Sequence, residues 1–159
     1  MITYKTSIIC KNGHLIDCNA EPQDVRSNKF CTICGSENIS VCQECQTPIR
    51  GRVASFIIDT APYTYVPAYC HECGKPYPWT VTALSTAAEI IEEDDSLTAD
   101  EIQKLISVLP DVISETPKSN IAAIRIKKAF LKISKFTAEA LKTFIIDFGC
   151  EFIKSQLGL

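Results

Sequence analysis

Cysteine and histidine placement limits this chain more than any other feature. Its first half carries four close pairs of metal-binding side chains, Cys10/His14, Cys31/Cys34, Cys42/Cys45 and Cys70/Cys73. A tetrahedral zinc ion takes four thiolate or imidazole ligands, and two short-spaced pairs supply one site. Four pairs therefore match two closed sites with no ligand left over. Three pairs are C-x-x-C and the fourth is C-x-x-x-H, spacings that favour metal over disulfides. Met1 to Lys5 lacks the charged start and apolar stretch of a secretion signal. Two structural Zn2+ ions in a reducing, cytoplasmic setting are the expectation. No run approaches the ~20 apolar residues of a membrane span.

Around these pairs, residues 1–79 read as short strands and turns. Tyr4 to Ile9 is an alternating run leading into Cys10, and Leu15-Ile16 starts a second strand after the Lys11-Asn-Gly-His14 turn. Residues 19–29 are polar and loop-like. Ile39 to Val41 leads into Cys42. Val53 to Ile58 is the clearest strand, with Tyr63 to Val66 as its partner, held at an edge by Pro62 and Pro67. Gly35 and Gly74 directly follow the second cysteine of their pairs, where a left-handed backbone turns amides toward thiolates.

Pro76-Tyr-Pro-Trp79 ends the β-rich part, and the remainder is helical. Thr80 to about Glu93 places Ala83, Leu84, Ala87, Ile90 and Ile91 on one side. Glu92 to Asp95 is an acidic tract that reads as a solvated linker. Thr98-x-x-Glu101 has capping-box spacing and opens a second helix to about Val108. Pro110 interrupts it, with a short helical turn to Ser114, and Thr116-Pro117 can start a third helix. From Ser119 to about Gln156 the apolar residues recur at three- and four-residue steps. That pattern predicts one long amphipathic helix, or two with a break near Lys135–Thr137. The fold class is therefore α+β: tandem small zinc-ribbon β units over residues 1–79, then a helical module over 80–159.

How the pairs combine is open between two arrangements. Sequential pairing joins Cys10, His14, Cys31 and Cys34, then Cys42, Cys45, Cys70 and Cys73. Interleaved pairing, as in a cross-brace, joins the first pair to the third and the second to the fourth. The short connection from Cys34 to Cys42 favours the sequential arrangement. Cys18 is an alternative to His14, although Cys10-x-x-x-His14 is tighter. His71, between two thiolates, reads as an exposed polar residue, and Cys150 as a small buried apolar one.

Charge is distributed in blocks. Residues 1–79 carry seven basic and seven acidic side chains, residues 80–117 one and nine, and residues 118–159 eight and three. Opposite blocks in one chain either face each other or meet separate partners.

The strings Cys10-Lys-Asn-Gly-His14, Cys31-x-x-Cys34-Gly35, Cys42-x-x-Cys45-x-x-Pro48-Ile-Arg-Gly51 and Cys70-x-x-Cys73-Gly-Lys-Pro-Tyr-Pro-Trp79-Thr80 resemble a bacterial family known as domain of unknown function 2321. The likeness extends to Thr116-Pro117 and to Ala122-Ala-x-Arg125-x-Lys127-Lys128. It implies a bacterial zinc-ribbon protein with those eight residues as ligands, and it implies no chemistry.

Closed four-ligand sites point to scaffolding, because a catalytic zinc keeps one position open for water. No Ser-His-Asp set, phosphate-binding glycine loop or H-E-x-x-H is present, so an enzyme is not expected. The expected function is a non-catalytic adaptor or regulatory protein. It would bind a protein partner or a second copy through residues 119–157, whose apolar side is wide over 137–157. Nucleic-acid binding is the first alternative, through Arg50, Arg52, Arg125, Lys127, Lys128, Lys132 and Lys135, with Tyr63, Tyr65, Tyr69 and Trp79 stacking on bases. Against it, the ribbon half is neutral and the whole chain acidic. Membrane-surface association through the lysine-bearing amphipathic segment is the second.

Overall fold

The computed structural model describes residues 3–21, 24, 28–54 and 63–159. Its contacts divide the chain into two units, Met1–Thr82 and Ala83–Leu159. The class is mixed α+β, with a small antiparallel sheet in the first unit and helices dominating the second.

In the first unit β1 (Tyr4–Cys10) is the spine of the sheet. It pairs antiparallel with β2 (Leu15–Ala20), β3 (Asn38–Ile39) and β4 (Arg50–Val53). β1 is paired along its edges, and from Thr6 to Cys10 every residue is buried, not only those on one face. β3 pairs at the Cys10 end of the spine and β4 at the Tyr4 end. β4 follows the third ligand pair, so one sheet serves both halves of the unit. Beside it lies a core of Ile9, Ile39, Ile49, Tyr77 and Trp79, into which Cys42 and Cys70 also pack. The Tyr77 and Trp79 rings stack at 4.7 Å. Trp79 donates its indole N–H to the Pro67 carbonyl at 2.8 Å, and Thr80 donates its hydroxyl to the Ala68 carbonyl at 2.7 Å. These bonds pin the first turn of α1 (Pro78–Glu92) onto the segment before Cys70. Tyr63 to Val66 form no strand. Most of the strand expected at Val53 to Ile58 lies outside the described residues.

The second unit contains α2 (Ala99–Ile106), α3 (Pro110–Ile113), α4 (Ser119–Phe130), α5 (Lys135–Phe148) and α6 (Glu151–Leu157). The capping box at Thr98 and Glu101 is formed, with both reciprocal bonds present. Where periodicity predicts one or two helices after Ser119, there are three, with breaks at 131–134 and 149–150. Ser134 caps α5 by accepting the Thr137 amide. At Gly149 a Cβ would stand 2.4 Å from the Ile145 carbonyl oxygen, so only glycine lets the chain leave α5 there. The breaks fold the amphipathic stretch back on itself. Ile91, Leu109, Val112, Ile126, Leu141 and Ile145 meet around a residual space of only about 10 Å3, with an apolar lining. The apolar side of 137–157 is thereby largely spent inside the unit, with Leu141, Phe144, Ile145 and Ile153 buried.

The acidic tract is not wholly solvated. Asp94 is buried and accepts the Ser96 amide at 2.9 Å and the Ser134 amide at 3.0 Å. A further hydrogen bond from Thr137, together with these amides, holds its carboxyl well below the usual carboxylate range. One buried carboxylate thus ties the end of α1 to the start of α5.

Candidate metal centres

Each C-x-x-C segment is the same tight loop. The first cysteine donates its amide to the carbonyl five residues on, Cys31 to Ser36, Cys42 to Thr47 and Cys70 to Lys75, at 2.8, 2.9 and 2.8 Å. The residue after the second cysteine donates back to the carbonyl of the first. That residue is left-handed every time: Gly35 at φ 71°, Gln46 at 61° and Gly74 at 70°. One bridge closes each loop, Phe30 with Glu37, Val41 with Pro48 and Tyr69 with Pro76. The fourth pair has different support. Cys10 ends β1, and its amide donates to the His14 carbonyl, four residues on, at 3.0 Å.

These loops bring the eight side chains into two groups, Cys10, His14, Cys31 and Cys34 in one, and Cys42, Cys45, Cys70 and Cys73 in the other. Within each, all four donor atoms lie within 4.8 Å of one another. The grouping is the sequential one. Sulfur–sulfur separations are 3.8 Å for Cys10–Cys34 and 3.7 Å for both Cys42–Cys73 and Cys45–Cys70. A disulfide would need about 2.05 Å. A tetrahedron with metal–sulfur bonds of about 2.3 Å has edges of about 3.8 Å. Exchanging one sulfur for a nitrogen at about 2.0–2.1 Å gives sulfur–nitrogen edges of about 3.5 Å. His14 Nδ1 lies 3.4 Å from the Cys10 sulfur and 3.6 Å from that of Cys31. Nδ1 is accordingly the nitrogen turned into the cluster. Both groups can hold a metal ion, and their soft donors and tetrahedral edges suit Zn2+.

Polar neighbours favour the thiolate form. The amides of His14, Ile33 and Glu72 point at the sulfurs of Cys10, Cys31 and Cys70 at 3.3, 3.4 and 3.5 Å. Asn12 donates its side-chain amide to Cys34 at 3.4 Å. The Ser36 amide leads the groups that draw the Cys34 thiol down to about 6. At Cys45 the Thr47 hydroxyl does most to lower the thiol, followed by the Thr47 amide. Cys73 goes the other way: the Lys75 amide lowers it, but local desolvation of its sulfur among its neighbours and hydrogen bonds with the sulfurs of Cys45, Cys42 and Cys70 push it up to about 12. Four thiolates this close repel one another, and a bound cation removes that conflict.

Burial divides the ligands. Cys10, Cys31, Cys42 and Cys70 are buried, whereas Cys34, Cys45 and Cys73 are exposed. Each cluster therefore fastens an exposed loop to the sheet or core beneath it. Cys18 sits in β2 outside both clusters, and His71 is exposed and belongs to neither. Cys150 is half-buried at the start of α6, not within a helix. Trp79 is buried against Tyr77 and is closed to base stacking. Sequence reasoning passed over Asn12, Thr47 and Gln46. Each lies within two residues of a ligand, which is the only signal the sequence offers for them.

The model of a family described as an uncharacterized protein conserved in bacteria, domain of unknown function 2321, matches residues 3–157. No curated protein and no solved structure matches the chain.

Proposed function

We propose that this chain, which belongs to that bacterial family, is a non-catalytic adaptor whose first unit is held rigid by two Zn2+ ions. In this reading Cys10, His14, Cys31 and Cys34 hold one ion, and Cys42, Cys45, Cys70 and Cys73 the other. The observation that carries it is the convergence of four donors on tetrahedral edges in each cluster. Four protein ligands complete the coordination and leave no position for a reacting water. Bound metal then supplies folding free energy that so small a sheet cannot obtain from burial alone.

The adaptor role rests on the second unit. Ile121, Ile124, Leu131, Phe136 and Ile146 are exposed there, and Leu131 and Phe136 keep 87% and 81% of their surface. Scattered single apolar residues need no explanation, but Ile121, Ile124 and Leu131 line one groove. The partner is a protein of the same bacterial cytoplasm. Elemental analysis of the purified chain tests the metal part, with two zinc ions per chain expected and fewer than two contradicting it. Co-purification from the native host tests the adaptor part. A stoichiometric partner is expected, and recovery of the chain alone contradicts the reading.

A further inference from the structure

The groove in the second unit lies between α2 and α4 and encloses about 490 Å3. Leu105, Ile121, Ile124 and Leu131 give it an apolar lining. Lys104, Arg125, Lys128 and Lys132 surround that lining, against a single carboxylate, Glu101. Glu101 is already engaged by Lys132, and Lys104 pairs with Asp100. Arg125 donates to the Lys104 carbonyl and the Ser107 hydroxyl, at 3.1 and 3.2 Å, and has no carboxylate partner among the described residues. Lys128 has no ion-pair partner among the described residues. The groove is thus apolar within and carries two cations without anionic partners on its α4 side.

We infer that this groove docks a short, acidic, amphipathic helix of a partner protein. The inference rests on the adaptor reading and specifies the chemistry of the partner. Charge complementarity sets the sign, because Arg125 and Lys128 ask for carboxylates on either side of the buried face. Backbone bonding sets the conformation. Both walls are helices whose own peptide groups are satisfied internally, so they offer no strand edge to an extended peptide. A helix brings its backbone already paired and needs only apolar side chains at three- and four-residue steps. The length follows from the lining: Ile121 to Leu131 is eleven residues, about 15 Å or nearly three helical turns. A flat bilayer does not fill a concave site, and a nucleic acid would draw on a denser cluster of unpaired cations than Arg125 and Lys128 supply.

Fluorescence anisotropy on the full-length, metal-loaded chain tests this. The probe is a labelled peptide of about fifteen residues, matched to three to four turns, with leucines three and four apart and glutamates flanking them. A scrambled isomer and a lysine-for-glutamate version are the controls. The acidic amphipathic peptide is expected to bind about tenfold or more tightly than either control, as expected of a central apolar anchor. Raising the salt from about 0.05 to about 0.5 M should weaken it. Ile124→Glu and Lys128→Glu alter exposed side chains, so far-UV circular dichroism should be unchanged while each lowers affinity about tenfold. Equal binding of the scrambled isomer, or undiminished binding by both variants, overturns the inference. So does sedimentation with phosphatidylglycerol vesicles that both variants abolish, in the absence of peptide binding. The two readings fail separately. A native partner retained by both variants removes the groove and keeps the adaptor, whereas a wild-type chain that recovers no partner removes the adaptor.

Discussion

Gln46 takes the backbone position that glycine holds in the two equivalent loops. Its φ of 61° follows from the shared loop geometry, in which the residue after the second cysteine must return its amide to the first. A side chain in that conformation costs about 1–2 kcal/mol. Glycine removes that strain but loses about 0.5–1 kcal/mol more conformational entropy on folding. Gln46→Gly should therefore stabilise the metal-loaded protein by about 0.5–1 kcal/mol, the difference of the two effects. Gln46→Val should destabilise it, since a β-branched residue tolerates the region least. Urea unfolding midpoints check both, and a Gly variant less stable than wild type removes the strain argument. Gly35 and Gly74 announce the loop in the sequence; Gln46 does not. Only the repeated hydrogen bonds reveal that the third loop is the same.

At the scale of elements, the junction between α1 and α5 depends on Asp94. Removing its carboxylate leaves two backbone amides and a hydroxyl without their acceptor. Asp94→Ala should cost about 1–3 kcal/mol, the usual penalty for orphaned buried donors. The pH dependence has a definite sign. An unfolded aspartate titrates near 3.9, and the folded carboxyl lies below that value. The stabilisation is complete above about pH 4 and is lost as pH falls further. Thermal midpoints of wild type and Asp94→Asn should therefore draw together as pH falls from about 4 toward 2, where the unfolded aspartate takes up its proton before the folded carboxyl does. Midpoints that stay equally far apart across that range contradict the assignment. Acid also releases metal by protonating thiolates, but that release affects both proteins alike. The capping box of α2 was legible because its spacing is local. Asp94 was not, because its Ser134 partner lies 40 residues away, and a run of four acidic residues looks solvated whichever of them is buried.

For the whole molecule, the metal clusters and the helical unit should respond differently to chelation. Five buried or partly buried side chains of the two clusters connect exposed loops to the sheet and the Tyr77–Trp79 stack. Stripping metal should abolish near-UV circular dichroism and redden Trp79 fluorescence. Most far-UV helical signal should persist, because the described core of the second unit contains no cluster ligand. Simultaneous loss of both signals at one chelator concentration contradicts this independence, and retention of the near-UV signal contradicts a structural role for the metal.

Short-range chemistry was decided by the amino-acid sequence alone. The pairing of candidate ligands, the loop glycines, the Thr98 cap and the α+β order all follow from residues close together along the chain, where spacing translates directly into geometry. Distance in sequence hides the rest. That β1 serves as spine for strands from both halves depends on pairings across more than 40 residues. That 119–157 breaks into three helices depends on what each apolar side chain can bury against, and periodicity describes the face without naming its neighbour. Tertiary structure alone decided which apolar residues became core and which were left to line the cationic groove, because burial is a property of the folded assembly and not of any one segment.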